Sequence, residues 1–295
     1  MIKKSLLDLC GVVTLMVLMI LCGSSCNHKS EVTPVTGTYQ VLTPVILPSL
    51  EKFDQPYGTS SRQKYDLFLP MGRDRNTRVI LLLHGGGWVS GEKEYLDSYA
   101  RLFAGMGYAA ISMNYRLASD TIHYQAMLGD IGSMAGCIVQ NRAAWGIGEG
   151  PLSLFGYSAG GHLALLYAYS GNTGQNISAV ISLAGPTDIQ DSLLWSTPAL
   201  LAGIRLMAGD TLPSNWIGIS PVHFVTPSAP PTFLIHGILD ELVPLSQSLK
   251  LNHLLSLAHV KAKVLLLENQ THYPTNDAVL QVTTETAAFL NETLK

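Results

Sequence analysis

An apolar run, Leu152 to Phe155, leads directly into Gly156-Tyr157-Ser158-Ala159-Gly160, and a second apolar stretch, His162 to Tyr169, leaves it. A run of this length bounded by glycine reads as a buried strand, and the stretch after it reads as a helix. Only a sharp turn joins the two, and small residues on both sides of the serine let it close. Few folds place a strand, a five-residue turn and a helix in this order. Layered α/β folds built of strand–helix units do so repeatedly.

The rest of the chain keeps the alternation. Val79 to Leu83 is continuously apolar, as a central parallel strand is. Ala109 to Asn114, Ala179 to Leu183, Thr232 to Ile235 and Val264 to Leu267 repeat the pattern. Between them, Glu92 to Met106, Ala126 to Ala144, Leu245 to Ala258 and Asp277 to Leu290 have helical spacing, with Gly107 placed to end the first. Gln63 to Pro70 alternates Tyr65, Leu67 and Leu69 with Lys64, Asp66 and Phe68, which predicts a half-buried strand near a sheet edge. The expected architecture is a three-layer α/β domain with a mostly parallel central sheet and helices on both faces. Residues 186–230 break the rhythm. Their mixture of Trp195, Leu200, Leu201, Met207, Trp216 and Phe224 with Gly and Pro reads as a small cap insertion over the top of the sheet. A single crossover helix with long loops is the alternative.

The N-terminus is of another kind. Lys3 and Lys4 precede a mostly apolar stretch, Leu6 to Leu21, and Gly23-Ser24-Ser25 then lead to Cys26. This is the basic head, apolar body and small-residue exit of an export signal. Residues 1–25 are therefore expected to be a lipoprotein signal peptide, with Cys26 as the lipidated first residue of the processed chain. An ordinary cleaved signal and an uncleaved anchor are the alternatives. Residues 26–38 are polar and read as a tether, and 39–295 as the α/β domain. The implied location is outside the cytoplasm, lipid-anchored to a bacterial membrane at its periplasmic face or the cell surface. Of the four cysteines, Cys10, Cys22, Cys26 and Cys137, processing leaves two. A lipid on Cys26 then leaves Cys137 without a partner for an intrachain disulfide. With a formal net charge of −3 and no basic block beyond Lys3-Lys4, nucleic acid is not an expected partner.

Three segments can converge on Ser158. The first is His84-Gly85-Gly86-Gly87-Trp88, directly after Val79 to Leu83. Successive glycines let backbone N–H groups turn toward one point, as stabilisation of an oxyanion requires. A phosphate cradle of the Walker kind would need a Lys followed by Ser or Thr, which is absent here. The second is Leu234-Ile235-His236-Gly237-Ile238-Leu239-Asp240, where an acid follows a strand; Glu241 is its neighbour and competitor. The third is Glu268-Asn269-Gln270-Thr271-His272, which places a histidine in the loop after the last expected strand. A base there can reach the serine hydroxyl. His84 and His236 sit at strand ends and read as structural supports. No cluster has zinc-ligand spacing, and neither a metal nor a cofactor is expected. The order Ser158, Asp240, His272 differs from the orders of the chymotrypsin-like and subtilisin-like proteases.

These segments, with Asn114-Tyr115-Arg116-Leu117, Gly156 to His162, Pro244 and the Tyr65-to-Pro70 strand, resemble one family. It is that of the α/β-hydrolase-fold serine esterases of the hormone-sensitive-lipase type, especially the bacterial acetyl-xylan and feruloyl esterase-like branch, here in a lipoprotein form. The resemblance covers roughly residues 60–290. It implies Ser158 as nucleophile, Asp240 rather than Glu241 as the acid, and His272 as the base. It also implies the N–H groups of Gly86, Gly87 and Ala159 as the oxyanion hole. The substrate it implies is a small ester or an acylated carbohydrate. Two departures are visible: Asn269-Gln270-Thr271 replaces a Gly- or Ala-rich approach to the histidine, and 118–129 lacks the usual proline. Hydrolysis of an aryl formamide or a peptide, or ligand binding without catalysis, are the competing readings. Trp88, Trp195 and Trp216 are expected either to line a sugar or aryl site or to fill the core.

Overall fold

The computed structural model describes residues 46–150, 152–171 and 177–294. The expected signal peptide, the tether and Cys26 lie outside these residues. Eight strands form one sheet: β1 (Leu50–Pro56), β2 (Lys64–Leu69), β3 (Val79–Leu83), β4 (Ala109–Met113), β5 (Leu152–Tyr157), β6 (Ile177–Leu183), β7 (Thr232–Gly237) and β8 (Ala262–Leu267). Their order across the sheet is β1-β2-β4-β3-β5-β6-β7-β8. β2 runs antiparallel to both of its neighbours, and every pairing from β4 to β8 is parallel.

Helices α1 (Asp97–Gly105) and α6 (Asn276–Thr293) cover one face of this sheet; α2 (Tyr124–Trp145), α3 (Ala159–Tyr169) and α5 (Ser246–Leu257) cover the other. The continuous apolar run of β3 follows from this. Val79, Leu81 and Leu83 point into one core and Ile80 and Leu82 into the other, so no residue of the strand meets water. Full burial of such a side chain contributes about 1.5–3 kcal/mol.

Two expectations need correction. β2 is not half-buried. It lies one place in from the edge, because β1 pairs outside it, and all of Tyr65 to Leu69 is buried. Its alternation of apolar and polar residues arises because Asp66 meets Lys93 in the core instead of water. Second, Glu92 to Met106 is not one helix: a short 3-10 helix, Lys93–Leu96, precedes α1.

Within 186–230 the chain forms one α-helix, α4 (Pro198–Ala208), and three 3-10 helices, Ser192–Ser196, Pro213–Ile219 and Pro221–Phe224. Ile189, Leu194, Ile204, Met207, Trp216, Ile219 and Val222 join the main core. The segment is therefore anchored to the domain along its whole length. Trp88 and Trp216 are buried, and Trp195 is half-buried and edge-on to Trp216 at 5.6 Å. All three are packing residues. Cys137 is half-buried against the same core.

Candidate active site

The elbow is built by backbone geometry. Ser158 sits between β5 and α3 with φ 54° and ψ −121°, a region that costs a non-glycine residue on the order of 1–3 kcal/mol. Two hydrogen bonds hold it there: Ser158 N–H donates to the Leu183 carbonyl at 2.8 Å, and His162 N–H donates to the Ser158 carbonyl at 3.1 Å. Glycine is required at 160, where a Cβ would lie 2.1 Å from the Leu83 carbonyl oxygen. The start of α3 thereby seats directly on the end of β3.

The structure brings the three side chains singled out by sequence together. Ser158 Oγ lies 2.9 Å from His272 Nε2, and His272 Nδ1 lies 2.7 Å from Asp240 Oδ2. A carboxylate accepts only, so Nδ1 carries the proton and donates it to Asp240. Nε2 is then the acceptor for the serine hydroxyl. Glu241, the competitor for the acid position, is exposed and stands outside this chain of contacts.

Asp240 is held from several sides. Its side chain is fully buried, and Oδ1 accepts from the N–H groups of Leu242 and Val243, both at 2.9 Å. Burial alone would raise its carboxyl, but hydrogen bonds from His236, His272 and Val243 N–H outweigh that and hold it well below the usual carboxylate range. His236 donates from Nε2 to the Val243 carbonyl at 2.8 Å, with Asp240 Oδ2 also near at 3.3 Å, and accepts from Ser248 Oγ at 2.8 Å. His236 thus supports the acid loop.

The glycine loop packs against the elbow. A Cβ on Gly85 would lie 3.0 Å from that of Ser158. Gly86 has φ 120°, and any side chain there would meet the Ser90 carbonyl at 2.2 Å. Gly87 and Trp88 also adopt positive φ, at 58° and 65°. Ala159 is the first residue of α3, where backbone N–H groups have no acceptor within the helix. Gly85 thus packs on the elbow, and Ala159, next to the serine in the chain, opens α3.

The remaining histidines near the elbow are scaffold. His84 is buried and stacked on Tyr115 at 4.3 Å, and burial lowers its pKa to about 4. His162 is buried, again lowered to about 4 by burial, and so neutral. It accepts from Trp88 Nε1 at 3.1 Å and donates from Nε2 to the Ile219 carbonyl at 2.7 Å. One imidazole thereby ties the glycine loop to α3 and to the 186–230 segment. Sequence placed His162 only as a helix residue, because both of its partners are remote along the chain. Tyr157, the residue before the serine, also has a remote partner: its hydroxyl donates to the His272 carbonyl at 2.7 Å.

A mostly parallel sheet carrying a serine on a strand-to-helix turn, with an acid and a histidine on loops after later strands, defines an α/β-hydrolase fold. Residues 65–255 match the BD-FAE family model, and the chain belongs to the BD-FAE family. It is 27% identical over 215 residues to esterase LipC of Mycobacterium tuberculosis, covering 65% of this chain and 52% of that one. It is also 28% identical over 235 residues to a probable isoprenylcysteine alpha-carbonyl methylesterase of Oryza sativa, covering 73% of this chain and 56% of that one. The chain thus spans about half the length of these relatives. Among solved structures, a truncated carbohydrate esterase from gut microbiota shares the fold with a TM-score of 0.73 at 20% identity, over 84% of this chain and 97% of that one. Esterase B of Lactobacillus rhamnosis does so at 0.69 and 21%, over 82% and 85%.

Proposed function

We propose that this protein is a serine hydrolase of carboxylic esters, acting through an acyl-enzyme on a small acyl group, such as acetyl, carried by a carbohydrate. The observation that carries the chemistry is the unbroken line from Ser158 Oγ to His272 Nε2 and from Nδ1 to Asp240. Ser158 attacks the ester carbonyl while His272 takes its proton, and Asp240 steadies the imidazolium that results. The N–H groups of Gly86, Gly87 and Ala159 receive the negative charge of the tetrahedral oxygen, and one such donor is worth about 10²–10³ in rate. His272 then protonates the leaving alcohol. Water attacks the acyl-serine with the same base.

The carbohydrate reading is supported by the structural neighbour described as a carbohydrate esterase. A second neighbour, at TM-score 0.68, is described as a bifunctional GH43-CE protein of Bacteroides eggerthii. Val89, Ile238, Leu239 and Tyr273 are exposed on the loops that follow β3, β7 and β8, and Leu193 is exposed on the 3-10 helix after β6, which suits an apolar acyl group. The N-terminal signal pattern supports export and attachment through Cys26, which would set the enzyme on a membrane facing polymeric substrates. Ser158→Ala is expected to lower p-nitrophenyl acetate turnover on the order of 10⁵–10⁶-fold with an unchanged thermal midpoint. It should also abolish labelling by a fluorophosphonate. Retained turnover would refute the assignment. Acetyl release from acetylated xylan, set against feruloyl esters and longer acyl chains, tests the substrate class.

A further inference from the structure

The contact between Tyr157 and His272 has a role that the line from serine to acid does not supply. In the resting site three hydrogen bonds hold His272. Ser158 Oγ bonds Nε2, Asp240 bonds Nδ1, and the Tyr157 hydroxyl bonds the His272 backbone carbonyl at 2.7 Å. The Tyr157 ring also lies against the imidazole, with centroids 5.4 Å apart and planes 29° from parallel. Tyr157 is covalently next to Ser158, so this contact registers the base on the elbow independently of the serine hydroxyl.

Acylation removes one of the three. Once Oγ carries the acyl group it has no proton to donate, and its bond to Nε2 is lost. His272 must nevertheless stay in place. In the second half of the reaction it accepts a proton from water as the water oxygen bonds to the acyl carbon. It then returns that proton to Ser158 Oγ as the ester bond to the serine breaks. With Oγ gone as a partner, the imidazole keeps one hydrogen bond, at Nδ1 to Asp240, beside the edge-on ring of Tyr273 with centroids 5.4 Å apart. The Tyr157 ring and hydroxyl supply a further hold, and both are unaltered by acylation.

We propose that Tyr157 is a positioning residue that keeps His272 on the elbow while the serine is acylated, and so acts chiefly on deacylation. This rests on the serine-hydrolase reading above. Tyr157→Phe removes one oxygen and keeps the ring. With p-nitrophenyl acetate, where deacylation limits turnover, kcat and KM are expected to fall together by about tenfold. kcat/KM, which reports acylation, should stay within about threefold. The burst of nitrophenol should become more distinct, and acetyl on Ser158 should accumulate by mass spectrometry. With an unactivated alkyl acetate, where acylation limits, kcat should change little.

A merely structural tyrosine would lower the active fraction, so that kcat falls at constant KM and no acyl-enzyme builds up. That result overturns the proposal, and so does an unchanged kcat. Tyr157→Met fills the space with neither hydroxyl nor ring; it must shift the same partition, and provides the test should the Phe variant fold poorly. If no acyl-serine forms in the unaltered protein, or Ser158→Ala keeps its activity, the functional reading fails. If acyl-Ser158 forms but the partition does not move, only the role of Tyr157 fails.

Discussion

Two buried polar assemblies stand on this sheet, and they are closed in opposite ways. At one, Asp240, His236 and His272 end on a serine at the mouth of the elbow. At the other, Lys93 is buried against β2, with Asp66 at 2.9 Å, Asp54 at 3.1 Å and Glu94 also in contact. Burial alone would lower the Lys93 ammonium, but hydrogen bonds to Glu94, Asp66 and Asp54 raise it instead. Lys93 and Asp66 pair inside the protein, and the assembly runs outward to the exposed carboxylates of Asp54 and Glu94. The first assembly leaves its last acceptor, Nε2, on an exchangeable hydroxyl. Burial of charge is common to both. On the function proposed above, the difference is a hydroxyl beside a free acceptor at the end of one line, against carboxylates at the end of the other.

The largest expected effect that tests this contrast is Asp240→Asn. It keeps the shape but presents a donor where His272 Nδ1–H needs an acceptor, so kcat should fall by about 10⁴. The thermal midpoint at neutral pH should move far less than the rate does. A fall of tenfold or less would mean that His272 is oriented mainly by other contacts. Lys93→Met should do the reverse. It strands Asp66 as an uncompensated buried carboxylate, at about 3–5 kcal/mol of stability measured by urea unfolding. Turnover per folded molecule should be unchanged. A loss of turnover without a loss of stability would erase the distinction between the assemblies.

The smallest effect concerns Asp97, beside the Lys93 group. Burial, with the Asp66 charge next in size, raises its carboxyl to about 6 from 3.8. Between those values the folded state binds more protons than the unfolded one. The contribution of Asp97 to stability is therefore greatest below 3.8 and declines as the pH climbs through 6. Asp240 has the opposite sign: its depressed carboxyl stabilises above 3.8, and that is lost as the pH falls below it. Asp97→Asn should raise stability at pH 8 by on the order of 1–3 kcal/mol, with little gain at pH 4. Equal gains at both values would refute the assigned sign.

The reach of sequence differed between these regions for physical reasons. The parallel strands β3 to β7 were legible because burial on both faces demands apolar runs, as in Val79 to Leu83, and the half-buried edge strand β8 showed through its run Val264 to Leu267. Ser158, Asp240 and His272 were legible because each closes a strand at the same edge of the sheet. β1 was not. Leu50–Pro56 is nearly all exposed and is held to β2 by backbone pairing, so it has no apolar period to read. Asp66 read as a water-facing residue because Lys93, 27 positions away, cannot be paired with it along the chain. The roles of Tyr157 and His162 were hidden for the same reason: their partners are His272, Trp88 and Ile219.

The bond from Ser158 to His272 spans 114 positions. During synthesis the elbow is complete long before its base exists. A nascent chain, or one released before residue 272, carries the serine and the glycine loop with nothing to remove the proton. The line of contacts is complete only with β8 paired beside β7, where the loop after it brings His272 to the serine. On the function proposed above, a chain without that last loop would be inactive.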